Sequence, residues 1–289
     1  MQTVLQYIAN GIMVGGVYAL SALGIVLVYK STSVFNFAIG QMMMLGAFFL
    51  WTCVEVFHMP LWLSFIVAVT AGVMLGMLIE RLTLRPLIGQ PLLSAVLATL
   101  ALSYFLNGIT IGIWGAYQQK LPEFITGAIT IGGVVFSNDL LWSFIIAMAL
   151  FVVLSVLYQR TKMGLLMRAT AESHQVAQAR GIKVRAIFSW SWALCGFVAA
   201  VGGMLLALRL GVSQYIALVG LQAFPAVLFG GLESIPGAIV GGLVVGLLQN
   251  LTGGLIAPWL METTPYVILL LVLIFRPEGL FGEIRIERI

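Results

Sequence analysis

Long stretches without a charged residue constrain the fold of this chain more than any other feature. Several of them, including residues 92–114 and 187–208, reach the roughly 20 apolar residues that a helix needs to cross a bilayer. Charged residues form only 8% of the chain, against roughly 25% in an average soluble domain. The sequence therefore predicts an all-α polytopic membrane protein.

Apolar runs separated by polar residues or by Gly and Pro indicate about 8 to 9 transmembrane segments within a single membrane domain, residues 1–289. The runs are 4–28, 34–53, 61–80, 92–114, 139–158, 187–208, 221–232, 237–256 and 265–275. The seventh and ninth runs are short for a full crossing. The run 221–232 either crosses completely or forms a broken or re-entrant segment.

The distribution of basic residues predicts the orientation. With an outside N-terminus and every run crossing, all of the 14 Lys and Arg residues except Lys120 and Arg209 fall in inside connections. The inside set is Lys30, Arg81, Arg85, Arg160, Lys162, Arg168, Arg180, Lys183, Arg185, Arg276, Arg285 and Arg288. Because Lys and Arg concentrate on the cytoplasmic side of membrane proteins, we expect the N-terminus outside and the C-terminus in the cytoplasm.

Two of the connections are long. The external one, residues 115–138, has β-branched residues from Ile129 to Val135 that predict a small strand or hairpin. The cytoplasmic one, residues 159–186, contains a stretch from Leu165 to Ala179 that is free of Gly and Pro and predicts a helix. That helix either belongs to a basic loop that only fixes topology or docks a cytosolic partner.

Glycines recur at four-residue spacing inside the apolar runs. In lipid, such spacing predicts close packing of helix backbones, because small residues let two helices approach. The pairs are Gly11 and Gly15, Gly72 and Gly76, Gly108 and Gly112, Gly237 and Gly241, and Gly242 and Gly246.

Ionisable side chains lie outside the centres of the spans. His58 and His174 fall in connections, and Glu55, Glu80 and Asp139 fall at span ends where we expect water to reach them. No metal-ligand spacing, no nucleophile motif and no phosphate-binding G-x-x-x-x-G-K-[ST] loop occurs in the sequence. We therefore expect no enzyme activity, no metal site and no cofactor in this chain.

Polar groups inside the spans are mainly uncharged amides. In hydrocarbon each of these side chains needs a hydrogen-bond partner, which is either a group on another helix or water in a water-filled path. Together they suit a polar, uncharged route for a small solute, although an interhelical hydrogen bond explains any single one equally well. The candidates for the path are Asn36, Gln41, Asn107, Gln222, Gln249 and Asn250. The carboxylate of Glu233 follows a helix break and is either functional or a loop group at the inner surface.

Two of these amides lie in "VFNFAIGQMMMLGAFFL", residues 34–50. Asn36 falls near the predicted cytoplasmic mouth, where we expect it to cap a helix or form part of a gate. Gln41 lies about two turns deeper at ~1.5 Å per residue, and we expect it to line the path.

Several stretches, in order, resemble the permeases of branched-chain amino acid (Liv-type) ABC transporters. They are "GIMVGGVYALSALGIVLVYKSTSVFNFAIGQMMMLGAFF", "ERLTLRPLIGQPLLSAVLATLALS", "GLLMRATAESHQVAQARGIKVRAIFSWSWALCGFVAAVGGMLLA", "FPAVLFGGLESIPGAIVGGLVVGLLQNL" and "FRPEGLFG". The resemblance covers nearly the whole chain.

The resemblance implies a permease domain in the bacterial inner membrane that takes up branched-chain amino acids or a related small solute. Its implied partners are two cytosolic ATPases that hydrolyse the ATP, a second permease (related or identical) and a periplasmic or surface-tethered solute-binding protein. It also implies a coupling role for Gly164, Arg168, Ala169, Glu172, Ala177 and Gly181. The alternative is a self-sufficient secondary transporter or channel for a small polar solute.

The chain departs from the family pattern at a few positions. Many relatives have glutamate where this chain has Gln41, a polar residue where it has Ile39, and an acidic or amide residue where it has Ser173. A carboxylate binds a substrate amine more strongly than an amide does, so the change at Gln41 leaves the substrate open. Urea, short amides and aromatic acids, which this permease type also transports, remain alternatives.

Overall fold

The computed structural model describes residues 2–282, so Arg285 and Arg288 of the predicted inner charge lie outside the described residues. The helices are α1 Gln2–Thr32, α2 Ile39–Trp51, α3 Leu61–Ile79, α4 Leu92–Trp114, α5 Asn138–Arg160, α6 Lys162–Glu172, α7 His174–Ala179, α8 Val184–Leu210, α9 Tyr215–Leu221, α10 Ala223–Gly230, α11 Ile235–Leu255 and α12 Leu260–Phe275. Wider π-helical turns extend α2 over Thr52–Val56 and α3 over Glu80–Leu84, and a 3-10 turn follows at Arg85–Leu87.

Seven helices of the described part are long and apolar enough to cross a membrane. The segments Tyr215–Gly230 and Leu260–Phe275 are shorter apolar helices. The all-α polytopic fold is thereby confirmed, as is the expectation that the seventh and ninth runs are short. The seventh begins earlier than predicted and is interrupted at Gln222, between α9 and α10.

The second span begins at Ile39 rather than at residue 34, because the chain from Val34 to Ala38 is not helical. The Asn36 side chain accepts a hydrogen bond of 3.0 Å from the Ala38 backbone N–H. Such a local bond offers the backbone an alternative to a helical turn. The predicted start of this span was therefore wrong by about one turn.

The described residues form two compact units. Within the described part of the chain, the first unit comprises residues 2–26, Ile125–Phe151 and residues 222–282. It contains most of α1, a β-hairpin, the first part of α5 and the helices α10 to α12. The second unit comprises Leu27–Phe124 and Val152–Leu221, with α2 to α4, the end of α5 and the helices α6 to α9.

Glycines bring α1 and α11 together in the first unit. A Cβ built on Gly15 would lie 2.8 Å from the Gly242 carbonyl oxygen, and one built on Gly246 would overlap the Gly15 backbone. Gly237 likewise abuts the Gly230 backbone, which joins α11 to α10. The predicted close packing at these glycines is confirmed.

The second unit is built around α8, most of which is buried. Side chains placed at Gly72 and Gly76 of α3 would overlap the α8 backbone, and one at Gly203 of α8 would overlap Met43 of α2. The prediction is wrong for Gly108 and Gly112 of α4, because a Cβ there has no described atom within 4 Å. Glycine spacing alone does not tell which side of a helix has a neighbour.

The long connection that was predicted to be cytoplasmic forms two helices, α6 and α7, rather than the single predicted helix from Leu165 to Ala179. Ser173 separates them with an extended backbone of φ −160° and ψ 116°. Its hydroxyl accepts the Val176 backbone N–H at 3.3 Å and so caps α7. Serine favours such N-caps over helix interiors, which explains the break.

The long connection that was predicted to be external contains the expected hairpin. Strands β1 Ala128–Ile131 and β2 Val134–Ser137 pair antiparallel, with Ile131 opposite Val134. The turn residues Gly132 and Gly133 have φ of 60° and 83°, a region that favours glycine. A two-residue turn of this kind matches the twist of the strands.

We predict that Gly76→Ala destabilises the protein by about 1–3 kcal/mol, because the new methyl group overlaps the Trp192 carbonyl at the α3–α8 contact. Gly108→Ala is the matched control in α4, where the space is open and alanine favours the helix by up to about 1 kcal/mol. Thermal unfolding of the purified chain in detergent measures the stability of both variants. A loss of stability in Gly108→Ala as large as that in Gly76→Ala would contradict the packing described.

Candidate translocation and coupling site

Asn36 is completely buried in the turn before α2. Its Nδ2 donates to Cys195 Sγ of α8 at 3.3 Å and lies 3.4 Å from Met42 Sδ, while its Oδ1 accepts the Ala38 N–H. Both polar atoms are therefore used within the second unit. In this arrangement Asn36 fixes the start of α2 against α8.

Gln41 lies in the first turn of α2, where its Oε1 is buried without a hydrogen-bond partner. The preceding Gly40 packs against the Ala217 carbonyl of α9, so α2 and α9 are in close backbone contact at this point. A buried amide oxygen without a donor costs about 1–3 kcal/mol. Gln41 thus has an unused buried acceptor next to this contact.

Gln222 and Gln249 meet in the first unit, at the break between α9 and α10. Gln222 Oε1 accepts from the Tyr18 hydroxyl at 2.7 Å and from Gln249 Nε2 at 3.1 Å. Gln249 Oε1 is buried and has no partner. This cluster of two amides and a tyrosine leaves one acceptor, Gln249 Oε1, available to a ligand.

The two other predicted path residues do not join this cluster. Asn250 is buried, but its Nδ2 donates to the Gly246 carbonyl of its own helix at 3.0 Å. Asn107 is half-buried on α4. Glu233 lies in the connection between α10 and α11, which agrees with a loop carboxylate.

Gly164 and Arg168 fasten α6 to the end of α5. Gly164 has no space for a side chain against the Tyr158 carbonyl. The Arg168 guanidinium donates to the carbonyls of Tyr158 and Gln159 and lies over the Tyr158 ring, 5.4 Å from its centroid. These contacts cap the free carbonyls at the C-terminal end of α5 with a cation.

The segment formed by α6 and α7, here called the candidate coupling segment, is fixed on α8 at its other end. Ala177 of α7 is buried in a small cluster with Val184 and Phe188. Gly181, with a φ of 81°, ends the segment in the left-handed region. Ala169 is half-buried and Glu172 is exposed at the end of α6.

Two apolar side chains on this segment escaped the sequence analysis. Leu165 and Val176 are 58% and 60% exposed, one on α6 and one on α7. Contact with a partner would cover these exposed apolar side chains, which makes them candidates for an interaction site. An apolar residue among the polar positions of a short surface helix was the available signal.

Glu80 is fully buried, so the expectation that water reaches it was wrong. Arg85 donates to it through Nε at 3.1 Å and through Nη2 at 2.9 Å, and the Ser189 hydroxyl of α8 donates at 2.5 Å. A π-helical turn at Glu80–Leu84 continues α3 here. The ionic cluster therefore ties the end of α3 to α8.

A family model described as "Branched-chain amino acid transport system / permease component" matches residues 7–275. The chain belongs to this family. The permease protein BraD of Pseudomonas aeruginosa is 29% identical over 300 residues, which cover 99% of this chain and 98% of BraD. LivH of Escherichia coli K12 is 28% identical over 302 residues, with 99% and 97% covered. A probable LivH of Methanocaldococcus jannaschii is 30% identical over 294 residues, with 94% and 91% covered.

Membership in the branched-chain permease family establishes what kind of protein this is. The chain is a multi-pass permease subunit of an ABC transporter in the cytoplasmic membrane, and not an enzyme. The family implies an ATPase and a solute-binding protein as partners. These matches do not favour a self-sufficient secondary transporter or channel.

We predict that Arg85→Ala destabilises this branched-chain permease by about 3 kcal/mol, because it leaves the Glu80 carboxylate buried without a cation. Arg81→Ala is the control, since Arg81 directly follows Glu80 in the chain but is exposed. The double variant Glu80→Gln, Arg85→Ala should recover part of the loss because it buries no charge. The single variant Glu80→Gln completes the cycle. Thermal unfolding of the wild type, the two single variants at Glu80 and Arg85 and the double variant measures the coupling, and additive losses would contradict a direct interaction.

Proposed function

We propose that this chain forms part of the translocation path of an ABC importer for branched-chain amino acids. The match to the family over nearly the full length carries this proposal. The relatives named above are described as high-affinity branched-chain amino acid permeases or a probable branched-chain permease. We further propose that the two units work together as one permease domain.

The path is proposed to use amides rather than carboxylates. Gln41 in the second unit and Gln249 in the first each have a buried acceptor without a partner. These acceptors are available to the donors of a passing solute or to water. Gln222 positions Gln249 by a hydrogen bond, whereas Asn36, Asn107 and Asn250 are proposed to support the helices beside the path.

The importer is proposed to contain two cytosolic ATPases and a second permease chain, either related or identical. A periplasmic or surface-tethered binding protein would deliver the solute from outside. The predicted orientation, with the N-terminus outside and the C-terminus cytoplasmic, places the segment from Lys162 to Ala179 on the side of the ATPases.

The segment formed by α6 and α7 is proposed to transmit the movement of an ATPase. It is fixed to α5 by Gly164 and Arg168 and to α8 by Ala177, so a displacement of the segment moves both helices. Leu165, Glu172 and Val176 are exposed and would contact the ATPase.

Switching between two states of the path requires ligands that prefer different states. ATP, bound by the ATPases, and the loaded binding protein are the two ligands in this proposal. The permease itself needs no covalent step, since the segment, α5 and α8 only change their position.

We predict that the double variant Glu172→Ala, Val176→Asp reduces the stimulation of ATP hydrolysis by solute-loaded binding protein about tenfold. The reason is that the permease loses an apolar side chain and a carboxylate that would contact the ATPase. The measurement uses the complete importer in liposomes. Glu278→Ala, which removes another exposed carboxylate on the predicted cytoplasmic side, is the control. Unchanged stimulation in an assembled complex would refute the coupling role of the segment.

We predict that the wild-type importer takes up leucine, and that Gln41→Glu changes the uptake rate of leucine at least about threefold, because a carboxylate binds an ammonium group more strongly than an amide does. Uptake of leucine, urea and benzoate into vesicles is compared for both proteins. Uptake of urea or benzoate without leucine would overturn the substrate assignment. An unchanged leucine rate in the variant would make Gln41 a packing residue.

A further inference from the structure

The exposed side of α4 has an ordered pattern of large and small residues, here called the α4 stripe. The stripe consists of Leu97, Ala101, Tyr104, Gly108 and Ile111, which are all exposed. They follow one another at alternating intervals of four and three residues, the spacing of a seam along which two helices pack. Large side chains alternate with small ones, and small residues in a membrane span let a second helix approach closely.

The space over the stripe is open at its glycine. A Cβ built on Gly108, or on Gly112 one turn further, has no described atom within 4 Å. Gly76 and Gly203, in contrast, each abut the backbone of a neighbouring helix of the second unit. The described chain therefore leaves the glycines of α4 free for a close contact with another helix.

Two polar side chains lie near the centre of α4. The helix has 23 residues, so at ~1.5 Å per residue it measures about 34 Å, and its midpoint is residue 103. Tyr104 of the stripe is 78% exposed, and Asn107, which adjoins the stripe, is half-buried. Neither side chain forms a hydrogen bond with a residue that the structure describes. The hydroxyls of Ser103 and Thr110, in contrast, donate to carbonyls of their own helix.

Membrane lipid does not suit the surroundings of these two side chains. The hydrocarbon core is about 30 Å thick and has no hydrogen-bonding groups, so the middle of α4 lies deep within it. Tyrosine in membrane proteins is enriched at the two interfaces rather than at mid-depth. The Tyr104 hydroxyl and the Asn107 amide therefore need a polar group of another protein segment, or water.

The exposed side of α3 shows how a lipid-facing surface of this protein differs from the α4 stripe. Its exposed residues include Ile66, Met74 and Leu78, and Thr70 has the only exposed hydroxyl or amide side chain within Leu61–Ile79. The Thr70 hydroxyl donates to the Ile66 carbonyl at 2.8 Å, so it needs no partner outside the helix. Both helices are apolar and exposed, but only α4 has polar groups at mid-depth that its own helix does not satisfy.

We propose that the α4 stripe docks on a transmembrane helix of the second permease chain of the importer, with the closest approach at Gly108. The partner helix has small residues at the crossing and hydrogen-bonding groups opposite Tyr104 and Asn107. If the second chain is identical, the contact is isologous, and the α4 stripe of one chain packs on that of the other. This inference rests on the proposed function, which requires two permease chains.

Photo-cross-linking identifies what covers the stripe. The photoreactive amino acid p-benzoylphenylalanine replaces Tyr104 in one protein and Met74, which is also strongly exposed, in the control. Both proteins are irradiated as the assembled importer in native membrane vesicles, and the products are identified by mass spectrometry. We expect the probe at position 104 to capture a transmembrane peptide of the second permease and the probe at position 74 to capture lipid. The peptide sequence distinguishes an identical from a related chain.

Two variants test the contact itself, by the amount of second permease that copurifies with a tagged chain. Gly108→Leu fills the closest approach and should reduce this amount at least about tenfold. Asn107→Leu removes one interhelical hydrogen bond and should reduce it about threefold. Ile66→Trp, which adds bulk to the exposed side of α3, is the control and should leave pairing unchanged. Because no described atom lies near Gly108, Gly108→Leu should keep the thermal midpoint of the monomeric chain in detergent.

The inference is overturned if the probe at position 104 captures no permease peptide in an importer that contains two permease chains, or if Gly108→Leu pairs as the wild type does. Leucine uptake by the wild type is measured separately, so the proposed function stands in either case. An active importer with a single permease chain would overturn both. Should Gly108→Leu fail to fold, the cross-link at position 104 decides.

Discussion

The close approach of helix backbones at glycine is the interaction on which both units depend. Lipid tails are as apolar as leucine, so burial of apolar side chains gives little drive for helices to associate inside a membrane. Van der Waals contact must therefore stabilise the association of the helices, and this requires helix backbones that touch. Gly15 and Gly246 permit such contact between α1 and α11, and Gly76 and Gly203 permit it around α8.

Backbones this close leave each polar side chain in the spans a defined set of neighbours. Asn36 finds its partners in the adjacent turn and on α8, and Glu80 finds Arg85 and Ser189. Gln41 and Gln249 instead keep an acceptor without a partner. In a well-packed interior such atoms cost stability, and the cost is tolerated where a ligand or water restores the hydrogen bond. The proposed path rests on these two amides for that reason.

The coupling segment combines rigid attachment with an exposed apolar surface. Arg168 contributes to the attachment rather than to the surface, because its guanidinium is bound to the end of α5. Leu165 and Val176 provide the exposed surface. The break at Ser173 divides the segment into two short helices, one held by α5 and one by α8. In the proposed mechanism, a push on either helix would reach a membrane span directly.

The sequence by itself determined the membrane class, the positions of most spans to within a few residues, the hairpin and the amide-rich interior. These follow from local quantities, namely the length and hydropathy of a run and the turn preference of glycine. The candidate path residues were also named from the sequence, but the meeting of Gln222 with Gln249 and Tyr18 was not, since they are far apart along the chain.

Only the tertiary structure decided that Glu80 is buried and that Gly108 and Gly112 face open space. Each of these depends on which neighbour a helix face meets. Hydropathy sets whether a helix enters the membrane, but it does not set the helix's rotation or partner, because lipid and protein interior are equally apolar.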